Sequence, residues 1–168
     1  MERSPTVIRE VYKDFARIFG RDYGNPFFEE YMTDDADVVL VGMGTLSTPV
    51  KVTIRQMREE GKKVGFVRVR WFRPFAAEEL AKSLGRFKAV GVIDRDFSLG
   101  SPFHSGVLAT EVRTALYPAA NRPPVLGFIC GLGGREVTVP DVRKMSEKIY
   151  EAAAGKSQPL TQWIGLRE

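Results

Sequence analysis

Cysteine and histidine are nearly absent from this 168-residue sequence, with one of each, Cys130 and His104. A single thiol forms no intrachain disulfide, no cysteine-based zinc site and no iron–sulfur cluster held by this chain alone. A lone histidine lacks the companions that a catalytic triad or a histidine metal site needs. We therefore expect neither a metal site nor a catalytic centre, with Cys130 an inert core thiol and His104 a loop or interface residue.

Long apolar runs and blocks of one charge are also missing. No stretch of about 18 apolar residues occurs and the N-terminus lacks the layout of a signal peptide, so we expect a cytoplasmic protein with no membrane partner. The net charge is +4, but the basic residues are scattered and not interleaved with aromatic residues as in a nucleic-acid groove. The composition argues against nucleic acid and leaves an anionic ligand and an acidic partner equally open.

What the sequence does contain begins with a helix and an arm. Ser4-Pro5 is typical of a helix start, with Ser4 as the cap. Apolar residues then recur at helical spacing as far as Gly20, a typical C-terminal stop. We predict an amphipathic helix over 5–19, turn chemistry after it, and a short edge strand over 27–32.

From residue 35 onward, short β-branched runs alternate with segments of helical periodicity, as βαβ units require. The predicted strands are 38–41, 64–69, 89–93 and 125–129. The predicted helices are one that Pro49 opens after a Ser47 or Thr48 cap and Gly61 ends, then 76–84, 106–116, and one from Pro140 to about Gly155. This order predicts a doubly wound, mostly parallel sheet with helices on both faces. The tail after residue 155 is predicted to be irregular and pinned by Leu160, Trp163 and Ile164.

Two glycine-rich turns are candidate anion sites. The first follows strand 38–41 and enters a helix N-terminus, where free N–H groups and the helix dipole favour a phosphate or carboxylate. Its candidate residues are Gly42, Gly44, Thr45, Ser47 and Thr48. Because the third glycine of a dinucleotide fingerprint and the lysine of a Walker loop are missing, a tight turn with an ordinary cap is the favoured explanation.

The second turn follows strand 125–129 and contains Gly133, Gly134 and Arg135. It is equally compatible with an anion held by Arg135 and with a loop packed on a neighbouring domain. Along the alternating stretch 64–71, Arg68 and Arg70 project to one side. Arginines on an otherwise buried strand need partners, and we predict an ion-pair network with Asp94 or Asp96 in preference to an active site.

The order of several short motifs resembles the C-terminal part of the alpha chain of pyruvate:ferredoxin oxidoreductase and related 2-oxoacid:ferredoxin oxidoreductases. Each motif alone is weak, but the ordered set is specific and runs from the first helix to about Tyr150. The motifs are FGRDYG at 19–24, DADVVLV at 35–41 with its glycine-rich turn, GKKVG at 61–65, RPF at 73–75, VIDR at 92–95, SLG at 98–100, EVR at 111–113 and GLGGREVT at 131–138.

The resemblance implies a transketolase C-terminal-like domain, which is a three-layer α/β/α sandwich. Its sheet has five strands, mostly parallel, with an antiparallel first strand that would correspond to 27–32. Under this interpretation residues 1–34 are a connector helix and arm, 35–155 are the α/β domain, and 156–168 are a C-terminal tail.

The resemblance also implies a parent enzyme that converts a 2-oxoacid (pyruvate in the best match), coenzyme A and oxidised ferredoxin into acyl-CoA, CO2 and reduced ferredoxin. Such enzymes use thiamine diphosphate, Mg²⁺ and iron–sulfur clusters. The partners implied are a preceding pyrimidine-binding domain of the alpha chain, the beta, gamma and delta subunits or their equivalents, and ferredoxin.

This chain begins where the preceding domain would end and has no diphosphate-binding GDG motif. We therefore expect a non-catalytic structural and subunit-contact domain that binds no cofactor and is inactive alone. A cut-out domain is favoured over a separate small subunit, since the first helix would otherwise expose an apolar stripe. The alternative is a module that binds a phosphate ligand, coenzyme A or a nucleotide, at the first glycine-rich turn.

Overall fold

The computed structural model describes residues 3–166, which form five α-helices and six β-strands in the order expected of an α/β protein. The helices are α1 (Ser4–Phe19), α2 (Ser47–Glu59), α3 (Ala77–Leu84), α4 (Val107–Leu116) and α5 (Val139–Ala153). The strands are β1 (Phe28–Tyr31), β2 (Val38–Met43), β3 (Val64–Val69), β4 (Ala89–Asp94), β5 (Val125–Ile129) and β6 (Thr161–Trp163).

One mixed sheet runs through the molecule in the order β1-β3-β2-β4-β5-β6. β1 pairs antiparallel with β3, with Phe28 opposite Val69, and every other pair is parallel. The antiparallel first strand is therefore confirmed, but the expected count of five strands is wrong. The sixth is β6, in the tail that was predicted to be irregular, which pairs with β5 with Thr161 opposite Gly127.

Helices cover both faces of the sheet because each central strand is apolar on both sides. Val39 and Val41 of β2 pack in a core shared with α3 and α4, whereas Val38 and Leu40 pack in a second core shared with α2 and α5. These four valine and leucine side chains are fully buried. The three-layer α/β/α sandwich is thus confirmed. The strands are apolar along nearly their whole length because both faces of the sheet are buried.

The last crossover differs in hand from the first three. α2 and α5 share one face of the sheet, yet β2 to β3 steps towards one edge and β5 to β6 towards the other. The connections through α3 and α4 lie on the opposite face and lead towards the same edge of the sheet as the connection through α5. Three connections therefore have one hand and the β5–α5–β6 connection the other, against the strong general preference for right-handed crossovers.

α1 lies beside the start of α3 and contributes no buried residue. Ile8 packs against the core on that side and Arg9 forms an ion pair with Glu79 of α3. The predicted Ser4 cap is wrong, because Ser4 is already helical and the residue before it makes no side-chain cap. Within residues 3–166, no helix combines the length and the apolar character needed to cross a lipid bilayer.

Candidate functional site

From β2 the chain adds β3 on one side and then β4 on the other, so the strand order reverses between β2 and β4. Open α/β folds usually bind ligands at the carboxyl ends of the strands at such a point. The chain leaves β2 for α2 on one face and leaves β4 for α4 on the other, so the loops at the carboxyl ends of these two strands diverge. A cavity of about 510 Å³ lies there. We call it the switch cavity; it is lined by residues 43–46, Phe72, residues 93–96, Val107 and Leu108.

Two of the five residues predicted for the first glycine-rich turn line the switch cavity. Gly44 has a φ of 68°, a left-handed conformation that favours glycine, and it is followed by the exposed Thr45 in a short 3₁₀ turn. Gly42 is the next-to-last residue of β2, and a Cβ there would lie 3.4 Å from the Phe66 ring. Gly44 therefore serves the turn, whereas a Cβ at position 42 would make only an ordinary van der Waals contact.

Ser47 and Thr48 do not have the predicted capping role. α2 begins at Ser47 itself, and no side chain caps it. The buried Ser47 hydroxyl donates a hydrogen bond to the carbonyl of Gly44 at 2.7 Å. Its proton is therefore used within the turn, while Thr48 is exposed and does not line the switch cavity.

Asp94 is the buried charged residue of the switch cavity, with 3% of its surface exposed. Its two carboxylate oxygens accept hydrogen bonds from the backbone N–H groups of Leu108, at 2.9 Å, and Ala109, at 3.0 Å. Burial raises the pKa of Asp94 to about 6, and the two N–H groups oppose that rise. A Cβ on Gly106 would lie 2.2 Å from the carboxyl carbon, so glycine is required there for close packing.

The second glycine-rich turn lies after β5 and does not line the switch cavity. Gly133 and Gly134 have φ values of 64° and 78° and are exposed, as is Arg135. A Cβ on Gly165 would lie 3.3 Å from Arg135, so this arginine lies against the C-terminal segment. Arg95 connects the switch cavity to the second turn: it lines the cavity and donates a hydrogen bond to the Gly131 carbonyl at 3.3 Å.

The predicted ion-pair network between Arg68, Arg70 and the carboxylates after β4 is wrong. Arg70 donates to the carbonyls of Tyr23 and Asn25 in the arm, each at 2.9 Å. Arg68 lies 3.8 Å from a carboxylate oxygen of Glu29 on the neighbouring strand. The sequence argument failed because β3 lies between β1 and β2, away from β4.

Cys130 and His104 occupy the environments that the sequence predicted. Cys130 is buried, and desolvation raises the pKa of its thiol to about 12, so the thiol is unreactive at neutral pH. His104 is exposed in the loop after β4, with a positive φ of 50°, and stacks on Phe97 with ring centroids 6.3 Å apart.

Residues 3–166 contain no group of three histidine, cysteine or acidic side chains placed to hold a metal ion. The one buried carboxylate of the switch cavity, Asp94, already accepts from two backbone N–H groups.

Sequence reasoning missed Arg113, which ties the carboxyl-end loops to the sheet edge. From α4 it donates to the Ser105 hydroxyl at 2.7 Å and to the Leu160 carbonyl at 2.6 Å. Its only signal in the sequence is its place in the EVR motif at 111–113.

Comparison with known proteins places this geometry in a family. The model for "Pyruvate:ferredoxin oxidoreductase core domain II" matches residues 36–142. The chain belongs to this family. The ketoisovalerate oxidoreductase subunit VorA of Pyrococcus abyssi is 41% identical to this core domain II chain over 167 residues, and the pyruvate synthase subunit PorA of Methanocaldococcus jannaschii is 38% identical over 168.

The alignments cover 99% and 100% of this core domain II chain but 41% of each of those relatives. The chain thus spans about two fifths of the length of the curated relatives it matches. The NADH-dependent phenylglyoxylate dehydrogenase subunit alpha of Aromatoleum evansii is 33% identical, again over the whole chain and 40% of the relative.

Two solved structures have the same fold as this core domain II chain. The 2-oxoglutarate:ferredoxin oxidoreductase of Magnetococcus marinus superposes with a TM-score of 0.57 and 22% identity over 82% of this chain and 21% of that one. A split-gene transketolase superposes with a TM-score of 0.56 and 17% identity over 79% of this chain and 46% of that one. The transketolase-like α/β architecture predicted from the sequence is thereby confirmed.

Proposed function

We propose that this chain is the core domain II part of a 2-oxoacid:ferredoxin oxidoreductase and acts there as a non-catalytic structural and subunit-contact domain. The observation that carries the proposal is the family match over residues 36–142. It is supported by similarity, over nearly the whole of this chain, to subunits of pyruvate and ketoisovalerate oxidoreductases. The reaction of the whole enzyme would convert a 2-oxoacid, coenzyme A and oxidised ferredoxin into acyl-CoA, CO2 and reduced ferredoxin.

The side chains of this domain do not fit the cofactors that the resemblance implies. An iron–sulfur cluster needs several thiolates, whereas Cys130 is a single buried thiol with a pKa raised to about 12. Thiamine diphosphate is held through Mg²⁺ in the resembling enzymes, and residues 3–166 contain no group of three His, Cys, Asp or Glu side chains placed to hold that ion. We infer that these cofactors bind to other parts of the enzyme.

The outer face of α1 supports a contact role. Val7, Val11 and Ile18 are 50%, 58% and 64% exposed. Phe15 and Phe19 extend the same apolar face, with ring centroids 4.7 Å apart. A contiguous exposed apolar patch of this kind is typical of a surface that packs against another protein or domain.

A reconstitution assay tests the proposal. The chain would be assayed for 2-oxoacid-dependent reduction of ferredoxin, alone and after co-expression with the remaining oxidoreductase polypeptides, in the presence of thiamine diphosphate, Mg²⁺ and coenzyme A. We expect no turnover by the chain alone and turnover by the assembled enzyme. Turnover by the isolated chain, or an enzyme of full activity assembled without it, would overturn the proposal.

The switch cavity favours a second candidate function, a phosphate-bearing ligand at the first glycine-rich turn. Its volume of about 510 Å³ suits a small ligand. Arg95, Gly44 and Thr45 line it. Titration calorimetry with coenzyme A, ADP and thiamine diphosphate tests this candidate, and the Arg95→Gln variant should weaken any binding. Equal binding affinities for Arg95→Gln and the wild type, measured by calorimetry, would contradict a site in this cavity.

A further inference from the structure

A second cavity lies on the other side of Gly44, at the carboxyl end of β3 and beneath the arm. Its volume is about 520 Å³, within the range of roughly 300–1,000 Å³ that is usual for small-molecule sites. Two arginines and three aromatic side chains form most of its wall: Arg68, Arg70, Tyr12, Tyr23 and Trp71. No acidic residue is among those that line it.

The positive charge of this cavity is only partly compensated by the surrounding protein. Glu29 is the carboxylate nearest to Arg68, at 3.8 Å, and it also forms an ion pair with Lys51. Arg70 is bonded to the backbone carbonyls of Tyr23 and Asn25, which accept hydrogen bonds but carry no full negative charge. Arg68 and Lys51 therefore share the carboxylate of Glu29, and the hydrogen-bond partners of Arg70 are neutral.

Arg68 has a buried donor without an acceptor. Its Nε lies out of contact with solvent and makes no hydrogen bond. A buried unpaired donor costs roughly 1–3 kcal/mol, and a charged one costs more, so such a group is normally satisfied in the functional state. Guanidinium groups bind carboxylate and phosphate oxygens through parallel N–H donors, and the Arg68 side chain is 41% exposed with Glu29 no closer than 3.8 Å.

We propose that this cavity, which we call the β3 cavity, binds a small multiply charged oxyanion, either a phosphate ester or a dicarboxylate, through Arg68 and Arg70. Arg68, which lines the cavity, provides its terminal N–H groups and its charge. Arg70 is fixed by the arm carbonyls and contributes its remaining N–H groups and its charge. Trp71, which is 39% exposed, lies in the wall and makes binding observable by fluorescence.

The test uses the full chain with Trp163→Phe, so that Trp71 is the only tryptophan. Pyrophosphate and succinate, each titrated at low ionic strength, distinguish the phosphate from the dicarboxylate source. We expect a saturable change in Trp71 emission with at least one of them, and loss of affinity on addition of NaCl, since salt screens charge pairs.

Three variants locate the site. Arg68→Gln should weaken binding by at least about tenfold, and Arg68→Lys should restore only part of it, because lysine keeps the charge but loses the parallel N–H donors. Arg17→Gln removes the same charge from an exposed part of α1 outside the cavity and should bind as the parent does. Circular dichroism would confirm that each variant is folded.

Two results would overturn the proposal. One is the absence of saturable binding by the folded parent for both anions. The other is equal weakening by Arg68→Gln and Arg17→Gln, which would mean that the anion responds to net charge alone. Neither result bears on whether the chain assembles into an oxidoreductase, because the titration needs no partner.

Discussion

Asp94 shows how one buried side chain sets the geometry of the carboxyl end of the sheet. It closes the N-terminus of α4 by accepting from Leu108 and Ala109, in place of the Ser or Thr cap that helices commonly use. The residue before α4 is Gly106, whose lack of a Cβ leaves room for the carboxylate. The helix and the end of β4 are thereby fixed to each other at the switch cavity.

The raised pKa of Asp94 gives a pH dependence with a definite sign. Its folded pKa is about 6 and its reference value is 3.8, so the folded state holds the proton more tightly. The stabilisation from that proton is complete below about pH 4 and is lost as pH rises through about 6, at a cost of up to about 3 kcal/mol. Urea unfolding across this range should show wild type losing stability relative to Asp94→Asn.

The exposed Glu136 provides the control for this measurement. Glu136→Gln should follow the wild-type pH profile, because it removes a carboxylate from an exposed position and leaves Asp94 and its partners unchanged. Parallel profiles for wild type and Asp94→Asn would contradict the prediction.

Local residue patterns predicted some of these roles and not others. The burial of Cys130 followed from its place at the end of an apolar strand, and the tight turn at Gly44 followed from the glycines after the apolar run of β2. The partners of Arg68 and Asp94 did not follow, because they depend on which strands are neighbours. That information is in the strand order, which no local pattern contains.

At the scale of elements, β6 depends on contacts made from α4. Arg113 donates to the carbonyl of Leu160, just before β6, and the N–H of Gly127 in β5 donates to the same carbonyl at 2.8 Å. Arg113 also reaches the hydroxyl of Ser105. One guanidinium thus connects a helix, a loop and the edge of the sheet.

Replacing Arg113 with Met should lower the free energy of unfolding by about 1–3 kcal/mol, because the buried Ser105 hydroxyl loses its donor and the Leu160 carbonyl loses one of two, while most of the side-chain packing is kept. Urea unfolding measures the loss, and amide hydrogen exchange should be faster at Gly127. Arg122→Met, at an exposed position, should cost less than about 0.5 kcal/mol. Equal effects of the two variants would contradict this role of Arg113.

The elements that periodicity predicted were those with long apolar patterns. All four predicted parallel strands and the helices between them are present within a few residues of the predicted bounds. β6 was missed because it has only three residues, with polar Thr161 and Gln162, and is reached by the crossover of opposite hand. Its pairing is determined by β5 and Arg113, not by its own sequence.

At the scale of the whole molecule, the candidate sites share one end of the sheet. The switch cavity and the β3 cavity both open at the carboxyl ends of parallel strands, with Gly44 in the wall of each. The second cavity is also lined by Tyr12 of α1, so the position of α1 affects its shape. A partner that packs on the outer face of α1 would therefore act close to the β3 cavity.

Val11 tests whether that outer face is an assembly surface. It is 58% exposed, so Val11→Asp should change the free energy of unfolding of the chain by less than about 0.5 kcal/mol. In an assembled oxidoreductase, the new carboxylate would be buried without a partner, which is costly. We expect at least about tenfold weaker association with the other oxidoreductase polypeptides, measured by calorimetry or co-purification.

Thr6→Asp is the matched control, since it adds the same charge at another exposed position of α1, away from the apolar face. It should associate as the wild type does. If Val11→Asp assembles as tightly as Thr6→Asp while both remain folded, the apolar face of α1 is not the contact surface. In that case the contact role proposed for this domain would have to lie elsewhere, and the exposed apolar loop around Leu99 and Phe103, which are 85% and 63% exposed, would be the next face to test.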